Sequence, residues 1–540
     1  MIKQRMARRE FLASIGTSLG GSAMLRVMAA LGIGTSVSAC GSSSASPNPP
    51  GPPPPPPPPS MLQSPRPGDW PVNVGVGRTV AILGGGIAGM TAALEMSRLG
   101  YTCTVLEAQP QAGGRIKTIR SGDVVSETDS TQTCLFDVDP DLYFNAGPSR
   151  IPHHHEFLLG YCREFGIALE TFTNDNRAAL LHSSSSFGGM PLPARRVIAD
   201  TRGNIARLLA TAVNQNALDM ELSATDKTNI LQMLSVYGDL NGSFGYSGTE
   251  RAGFPGQEDV GSRRRGELLS PLDLSELIAE TLYPLRTAFP HGLDQQPTML
   301  QPVGGMDRIA RTFEAQVLSS LVFDAQVTEI RRRTDGVRIV YDRLGASNTL
   351  DTDYAVIALP ATVLAGIPND FSTAHRNEIA GFQYTSAVRV AFQSRRFWEQ
   401  DHNIYGGISW TDRDITQLWY PNHGFGSLNG IMLGAYVFGG PAGDTLTNQT
   451  PAARLNTVTQ QAADVHPEFP AEAGRGLSVA WRKVPFALGG WGTSNPNVLL
   501  TEDDRFFFAG EHLSILQGWQ EGAILSAYSA IDRVVTRDTP

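Results

Sequence analysis

The sequence predicts an α/β fold with a parallel sheet at its centre, and three observations between residues 79 and 107 predict it. Val80 to Leu83 is a short apolar run of the kind that forms a strand buried on both faces. It breaks into Gly84, Gly86 and Gly89, spaced G-x-G-x-x-G, and continues as Met90 to Leu99 with apolar residues at helical spacing. A second apolar run, Thr102 to Leu106, ends at Glu107, 23 residues beyond Gly84. Strand, glycine turn, helix and second strand together read as a βαβ unit that binds a dinucleotide. Gly84 permits the tight turn and Gly86 lets the backbone at Ile87 and Ala88 approach a pyrophosphate. Gly89 lets helix and strand pack closely, so phosphate charge meets the helix N-terminus. Glu107, followed by Ala108, stands where a carboxylate accepts both ribose hydroxyls.

At 540 residues the chain exceeds the usual size of one domain and leaves enough for two with sizeable cores. A formal net charge of -9 gives no electrostatic footprint for nucleic acid, and no nucleic-acid partner is expected. Lysine is scarce: only Lys3, Lys117, Lys227 and Lys483 occur. The four cysteines, Cys40, Cys103, Cys134 and Cys162, show no C-x-x-C or His/Cys spacing, so no metal site is implied. Cys103 falls inside the second strand as a small apolar residue, while Cys134 and Cys162 are a candidate disulfide pair in an oxidising compartment.

The start, MIKQRMARREFLASIGTSLGG, has a basic head, the twin arginine Arg8-Arg9 and a weakly apolar stretch interrupted by Gly, Ser and Arg26. A transmembrane helix needs roughly 20 predominantly apolar residues, so residues 1–40 read instead as a twin-arginine export signal. It ends at Val37-Ser38-Ala39-Cys40, similar to a lipoprotein box in which cleavage exposes Cys40 for lipidation and membrane attachment; an ordinary cleavage site is the alternative. Residues 41–70 are a Ser/Pro-rich linker. Its eight consecutive prolines, Pro52 to Pro59, make a semi-rigid spacer of roughly 25 Å. A periplasmic or membrane-anchored location follows.

After Glu107 comes Gly113-Gly114-Arg115, where two glycines again admit phosphate and Arg115 offers a planar fork of donors. GGGIAG, Glu107 and GGR together resemble the N-terminal fingerprint of the FAD-dependent amine oxidase family. The resemblance implies a discontinuous Rossmann-like FAD-binding domain, glutathione-reductase-like, with a mixed-sheet substrate domain and a helical region. It also implies that Arg115 helps hold the FAD pyrophosphate. The segment Tyr143 to Pro152, YFNAGPSRIP, looks like the G-P-x-R-[IL]-P segment of the L-amino-acid oxidases within that family. By that likeness Gly147, Pro148 and Ser149 border the cofactor and Arg150 grips the substrate α-carboxylate. A guanidinium in a desolvated pocket makes two parallel hydrogen bonds to a carboxylate and so aligns the neighbouring Cα-H. His153 to His155 read as the polar first turn of a helix rather than as metal ligands, since adjacent side chains point apart.

Apolar-periodic stretches at 193–240 and 268–285, separated by a Gly/Ser/charged loop, suit the helical region. Residues 322–330 and 336–341 alternate like paired strands, and by resemblance the backbone of Val327 meets adenine. Residues 353–360 read as a buried strand. Where the family has a lysine that holds a water near flavin N5, this chain carries Arg389, which cannot act as a base near neutral pH. Leu418 to His423, LWYPNH, continues the likeness and implies that Tyr420 donates a second hydrogen bond to the carboxylate beside Arg150. Trp481 to Trp491, WRKVPFALGGW, resembles the segment ending beside the flavin. Residues 506–528 resemble the family's C-terminal segment. There Gly510-Glu511 meets the ribityl or phosphate region, the helix opening near Gly518-Trp519 faces the flavin, and Trp491 and Trp519 form two aromatic walls.

The resemblance covers nearly all of residues 75–535. It divides the chain into an FAD-binding domain, residues 71–150, 300–355 and 495–535, and a substrate-binding domain, residues 151–299 and 356–494. The expected function is oxidation of an L-α-amino acid to a 2-oxo acid, ammonia and hydrogen peroxide, with oxygen as acceptor and a homodimer as the assembly. Oxidation of a primary amine or polyamine, or a non-catalytic flavin-binding subunit, are the alternatives.

Overall fold

Thr79–Leu83 (β1), Ile87–Arg98 (α1) and Thr102–Leu106 (β2) realise the βαβ unit, with Thr79 opposite Thr102 in a parallel pair. The chain returns to this sheet with Leu321–Val322 (β3) beside β2, Tyr354–Ile357 (β4) beside β1 and Phe506–Phe508 (β5) beside β4. The order β3-β2-β1-β4-β5 is parallel throughout. Since the strands on the two sides of β1 are reached in opposite senses, a crevice opens at their carboxyl ends. The computed structural model describes residues 64–255 and 266–539. The export signal, Cys40 and the proline run lie outside the described residues.

The glycine turn follows from contact distances. Gly84 has φ +98°, and a Cβ on Gly89 would lie 2.0 Å from the Gly84 carbonyl oxygen, so helix and strand approach as closely as backbone allows. Ile87 to Met96 of α1 are all buried, because the helix packs against Asp307–Val317 and the final helix, Gln520–Asp538 (α2). Each fully buried large apolar side chain there contributes about 1.5–3 kcal/mol. Glu95, enclosed with them, is satisfied: Tyr528 donates to the Tyr161 hydroxyl at 2.8 Å, and Tyr161 donates to Glu95 at 2.7 Å. Burial raises the pKa of Glu95, and the Tyr161 hydrogen bond and Arg98 oppose it.

Contacts divide the chain into two compact units, one containing residues 180–295 and the other residues 63–179 with 296–540. The second of these units holds the parallel sheet together with residues 356–494. Residues 180–295 carry the hairpin Leu180–His182/Leu192–Pro193 and the helices Ala194–Asn214 and Ala224–Gly238. The predicted periodic stretch 193–240 is interrupted, because Asn216 turns the chain at φ +59° and Ser223 with Asp226 forms a capping box. Ala206, Ala210 and Leu234 form the seam between the two helices. Buried Asp200 accepts from the Tyr246 hydroxyl and from the Leu272 amide.

In the other unit, strands Gly407–Thr411, Gln417–Tyr420, Asn429–Val437, Val388–Arg395 and Gly476–Ala480 pair in that order, antiparallel. A meander of Ala325–Arg332, Val337–Arg343 and Ala346–Thr352 follows β3. The single strand expected at 322–330 is therefore two, because Asp324, at φ +56°, breaks it after β3. The hairpin Val124–Glu127/Ser130–Thr133 is tied to the antiparallel sheet through a fully buried pair: Arg454 meets both Glu127 oxygens at 2.6 and 2.8 Å, and the Ala480 amide donates to the same carboxylate. Cys134 and Cys162 are both free thiols, not a disulfide, and are buried in separate apolar clusters. His153 to His155 precede rather than open their helix, which runs Glu156–Glu164 with His155 as its N-cap.

Candidate active site

A cavity of about 360 Å³ lies at the carboxyl ends of β1, β2, β4 and β5. Gly84, Gly86, Ile87 and Ala88 form its floor at the N-terminus of α1, with Glu107 and Ala108 at the end of β2. Gly113, Gly114 and Arg115 line it, as do Gly147, Pro148 and Val327. Trp481, Trp491, Gly510, Glu511, Gly518 and Trp519 complete the set of predicted cofactor residues around it. Gly89, Ser149 and Arg150 lie just behind this lining: Gly89 beneath Gly84, Ser149 and Arg150 in the continuation of the Gly147-Pro148 loop. That loop is pressed so tightly on the Arg115 segment that a Cβ on Gly147 would lie 1.9 Å from the Arg115 carbonyl oxygen.

The donor set suits FAD. Glu107 accepts from the amides of Gly85 at 2.8 Å and Gln109 at 2.9 Å, which fixes its carboxylate at the strand end. Burial pushes its pKa up, and those amides oppose the shift. Gln520, in the first turn of α2, lines the cavity with both polar atoms of its amide buried and without a hydrogen-bond partner. A buried amide left orphaned costs about 1–3 kcal/mol, so it marks where a ligand's polar edge belongs. A helix N-terminus there also favours negative charge on that ligand.

Glu511 organises the site. It accepts from Arg115 at 2.8 Å, from the Gly518 amide at 2.8 Å and from the Gly492 amide at 3.2 Å, joining three walls. Burial opposes both charges, yet each holds the other ionised: Arg115 above its ordinary value, Glu511 below the usual carboxylate range. An ionised carboxylate accepts hydrogen bonds and has no proton to give a phosphate oxygen. A ribityl hydroxyl remains chemically suitable. Trp481 donates its indole N–H to Ala146 O at 2.9 Å, and Gly518 packs on Trp491, its added Cβ falling 3.2 Å from the indole Cγ.

Arg150 precedes the strand Ile151–Pro152, which pairs with Met299–Pro302. It is buried, 7 % exposed. Its guanidinium carbon lies 4.6 Å from the ring centre of Trp419, 5.6 Å from that of Trp519 and 6.0 Å from that of Phe172. Burial pushes its pKa down to about 10; Tyr436 opposes this and Arg389 adds to it. It is still protonated at neutral pH. Arg389 is also buried and lines the cavity, its guanidinium carbon 3.7 Å from the Tyr436 ring centre. It donates to Asn145 O at 2.6 Å and to Ser149 Oγ, holding the loop that presents Arg150.

Tyr420 does not join this group. Strand neighbours point to opposite faces, and in Gln417–Tyr420 it is Trp419 that faces Arg150. The Tyr420 hydroxyl is instead 2.6 Å from Ser409 Oγ and 2.6 Å from His466 Nε2. Its role as the carboxylate partner of Arg150 is withdrawn. The tyrosine that does line the cavity is Tyr436, whose ring lies against the Arg389 guanidinium. No motif in GIMLGAYVF distinguishes it from an ordinary strand residue. Gln520 was accessible to sequence reasoning, since it follows Gly518-Trp519 directly. So was Lys117, two residues after Arg115, which lines the cavity and whose pKa burial lowers.

Residues 87–535 match the sequence model of the family described as flavin containing amine oxidoreductase. The chain is 26 % identical over 504 residues to the flavin-dependent L-tryptophan oxidase RebO of Lentzea aerocolonigenes, covering 85 % of this chain and 98 % of that one. It is 25 % identical over 490 residues to an L-amino-acid oxidase of Gloydius halys, covering 84 % and 88 %. Among solved structures it is similar to cyclohexylamine oxidase from Brevibacterium oxydans, with a TM-score of 0.55 at 15 % identity over 85 % of this chain and 99 % of that one. It is also similar to putrescine oxidase bound to putrescine, with a TM-score of 0.54 at 14 % identity over 85 % and 98 %. At those identities the structural likeness speaks for the fold.

Proposed function

The chain belongs to the flavin-containing amine oxidoreductase family, and from that premise we propose that it oxidises an L-α-amino acid. It is an FAD-dependent oxidase; the substrate is what the proposal adds. The observation that carries the reading is a buried guanidinium, Arg150, whose central carbon lies 5.6 Å from the ring centre of Trp519, a residue lining the cavity. A guanidinium's planar fork matches a carboxylate with two parallel hydrogen bonds, and an α-carboxylate has the right size and planarity.

When bound, FAD supplies the two-electron acceptor: loss of a hydride equivalent from substrate Cα leaves an imino acid that water hydrolyses to 2-oxo acid and ammonia, with oxygen the terminal acceptor and hydrogen peroxide the product. Arg150 orients the carboxylate by two hydrogen bonds. Tyr436, beside Arg389, takes the supporting role first expected of Tyr420. Trp491 and Trp519 confine the amine and exclude water. Arg389 holds the Ser149-Arg150 loop and lends positive charge. Arg115, Glu107, Val327 and Gln520 hold the cofactor in a Rossmann-like domain composed of residues 71–150, 300–355 and 495–535.

Export through the twin-arginine signal, lipidation of Cys40, a periplasmic location and a homodimer complete the proposal. A folded, FAD-loaded protein suits that export route. Cys40→Ser should release the protein from membranes in fractionated cells; retention in the membrane fraction would sink the anchor. For the substrate, a peroxide-linked screen of the twenty amino acids and common amines is expected to give turnover with one or more L-amino acids. Turnover with amines alone would instead favour the amine-oxidase reading and make Arg150 structural.

A further inference from the structure

We propose that His402, His466 and Glu468 form a binding site for a divalent transition-metal cation, zinc foremost, on the face of the antiparallel sheet opposite Arg150. His402 lies just beyond the short helix Phe397–Gln400, while His466 and Glu468 lie between the helices Pro451–Ala462 and Phe469–Glu472. Their ligand atoms all lie within 4.8 Å of one another. Two imidazoles and one carboxylate are a zinc donor set, and tetrahedral bonds of about 2.0–2.2 Å place ligand atoms about 3.3 Å apart. His466 Nδ1 is 3.4 Å from Glu468 Oε1. The same oxygen faces His402 Nε2 at 2.5 Å.

An independent observation points to a missing group. The His466 side chain is fully buried, yet its Nδ1 makes no hydrogen bond and is aimed at the cluster. Its other nitrogen, Nε2, meets the Tyr420 hydroxyl at 2.6 Å, and that hydroxyl meets Ser409 Oγ at 2.6 Å. If Nε2 donates to Tyr420, the tautomer turns the Nδ1 lone pair toward Glu468. Orientation of a ligating histidine through its other nitrogen is the usual outer-shell arrangement of metal sites. Two imidazoles converge on one carboxylate oxygen. A proton bridges one of them, whereas a cation satisfies all three donors. His402 and Glu468 are 36 % and 29 % exposed, which leaves a face open for water as the fourth ligand.

The spacing hid the site from sequence reasoning, because His466 and Glu468 are a bare H-x-E and His402 is 64 residues earlier. A bound cation would brace the back of Gln417–Tyr420, whose Trp419 faces Arg150.

The test is calorimetric titration of EDTA-dialysed holoenzyme with zinc sulfate, paired with a thermal scan. The expected result is saturation at about one zinc per chain, with a raised Tm that EDTA reverses. His402→Ala, a change at the surface, should abolish that saturating phase. Tyr420→Phe, which keeps all three ligands, should weaken binding about 10- to 100-fold. Exposed His153→Ala should leave the isotherm unchanged. The absence of saturable binding, or an isotherm unaltered by His402→Ala or by Tyr420→Phe, would overturn the proposal.

Discussion

Replacing Arg150 by methionine separates what its charge does from what its stem does. Methionine keeps an unbranched apolar chain against Trp419, Trp519 and Phe172, so packing is largely conserved while the guanidinium is lost. Arg389 is also buried, but it is already committed to Asn145 O and Ser149 Oγ and is held over Tyr436, so it should compensate poorly. Truncating one partner of a desolvated, hydrogen-bonded charge pair costs about 2–5 kcal/mol, which is roughly 30- to 5,000-fold in kcat/KM. The readout is anaerobic stopped-flow reduction of the flavin by a good amino-acid substrate and by its decarboxylated amine. The amino acid should slow by that factor while the amine holds steady or improves. Arg150→Lys should fall between, since it retains charge without the planar fork. An Arg150→Met enzyme that reduces as fast as wild type with the amino acid would refute the carboxylate role.

Gln520→Leu should leave the apoprotein at least as thermally stable, because it removes an orphaned buried amide, and should weaken FAD binding by about 1–3 kcal/mol, read by flavin-release titration. Equal FAD affinity would show that the amide does not face the cofactor. Tyr420→Phe should leave kcat/KM within about twofold, since its hydroxyl lies on the other face of the sheet, whereas Tyr436→Phe should lower it by about 0.5–1.5 kcal/mol. The opposite ranking in steady-state assays would restore the first assignment. Glu127→Ala strands the fully buried Arg454 charge and should destabilise the fold by about 3–5 kcal/mol in denaturant melts. A shift under about 1 kcal/mol would mean that the pair is dispensable.

What could be read ahead of the structure was local. The turn at Gly84 to Gly89, the acid at Glu107 and the helix after Trp519 each depend on a few adjacent residues, and the strands and helices appear within a few positions of where periodicity put them. The assignment to Tyr420 failed because a one-residue shift along a strand exchanges faces, and Trp419-Tyr420 gives no internal sign of which side is inward. Strand 322–330 split at Asp324 for want of a turn signal stronger than a single αL aspartate. Cys134 and Cys162 could be paired on paper because nothing in their spacing revealed that separate clusters enclose them. Tyr436 and the His402, His466, Glu468 cluster depend on strand pairing and distant chain crossings, which no local window contains.

The most direct measurement mixes the FAD-loaded protein, without oxygen, with each L-amino acid and separately with the amine made by its decarboxylation, while flavin absorbance is followed. Bleaching by at least one amino acid that far outpaces its amine is the outcome required if a buried guanidinium reads the carboxylate. Amines that bleach as fast as their parent acids, or a colour unchanged by every amino acid, would contradict it.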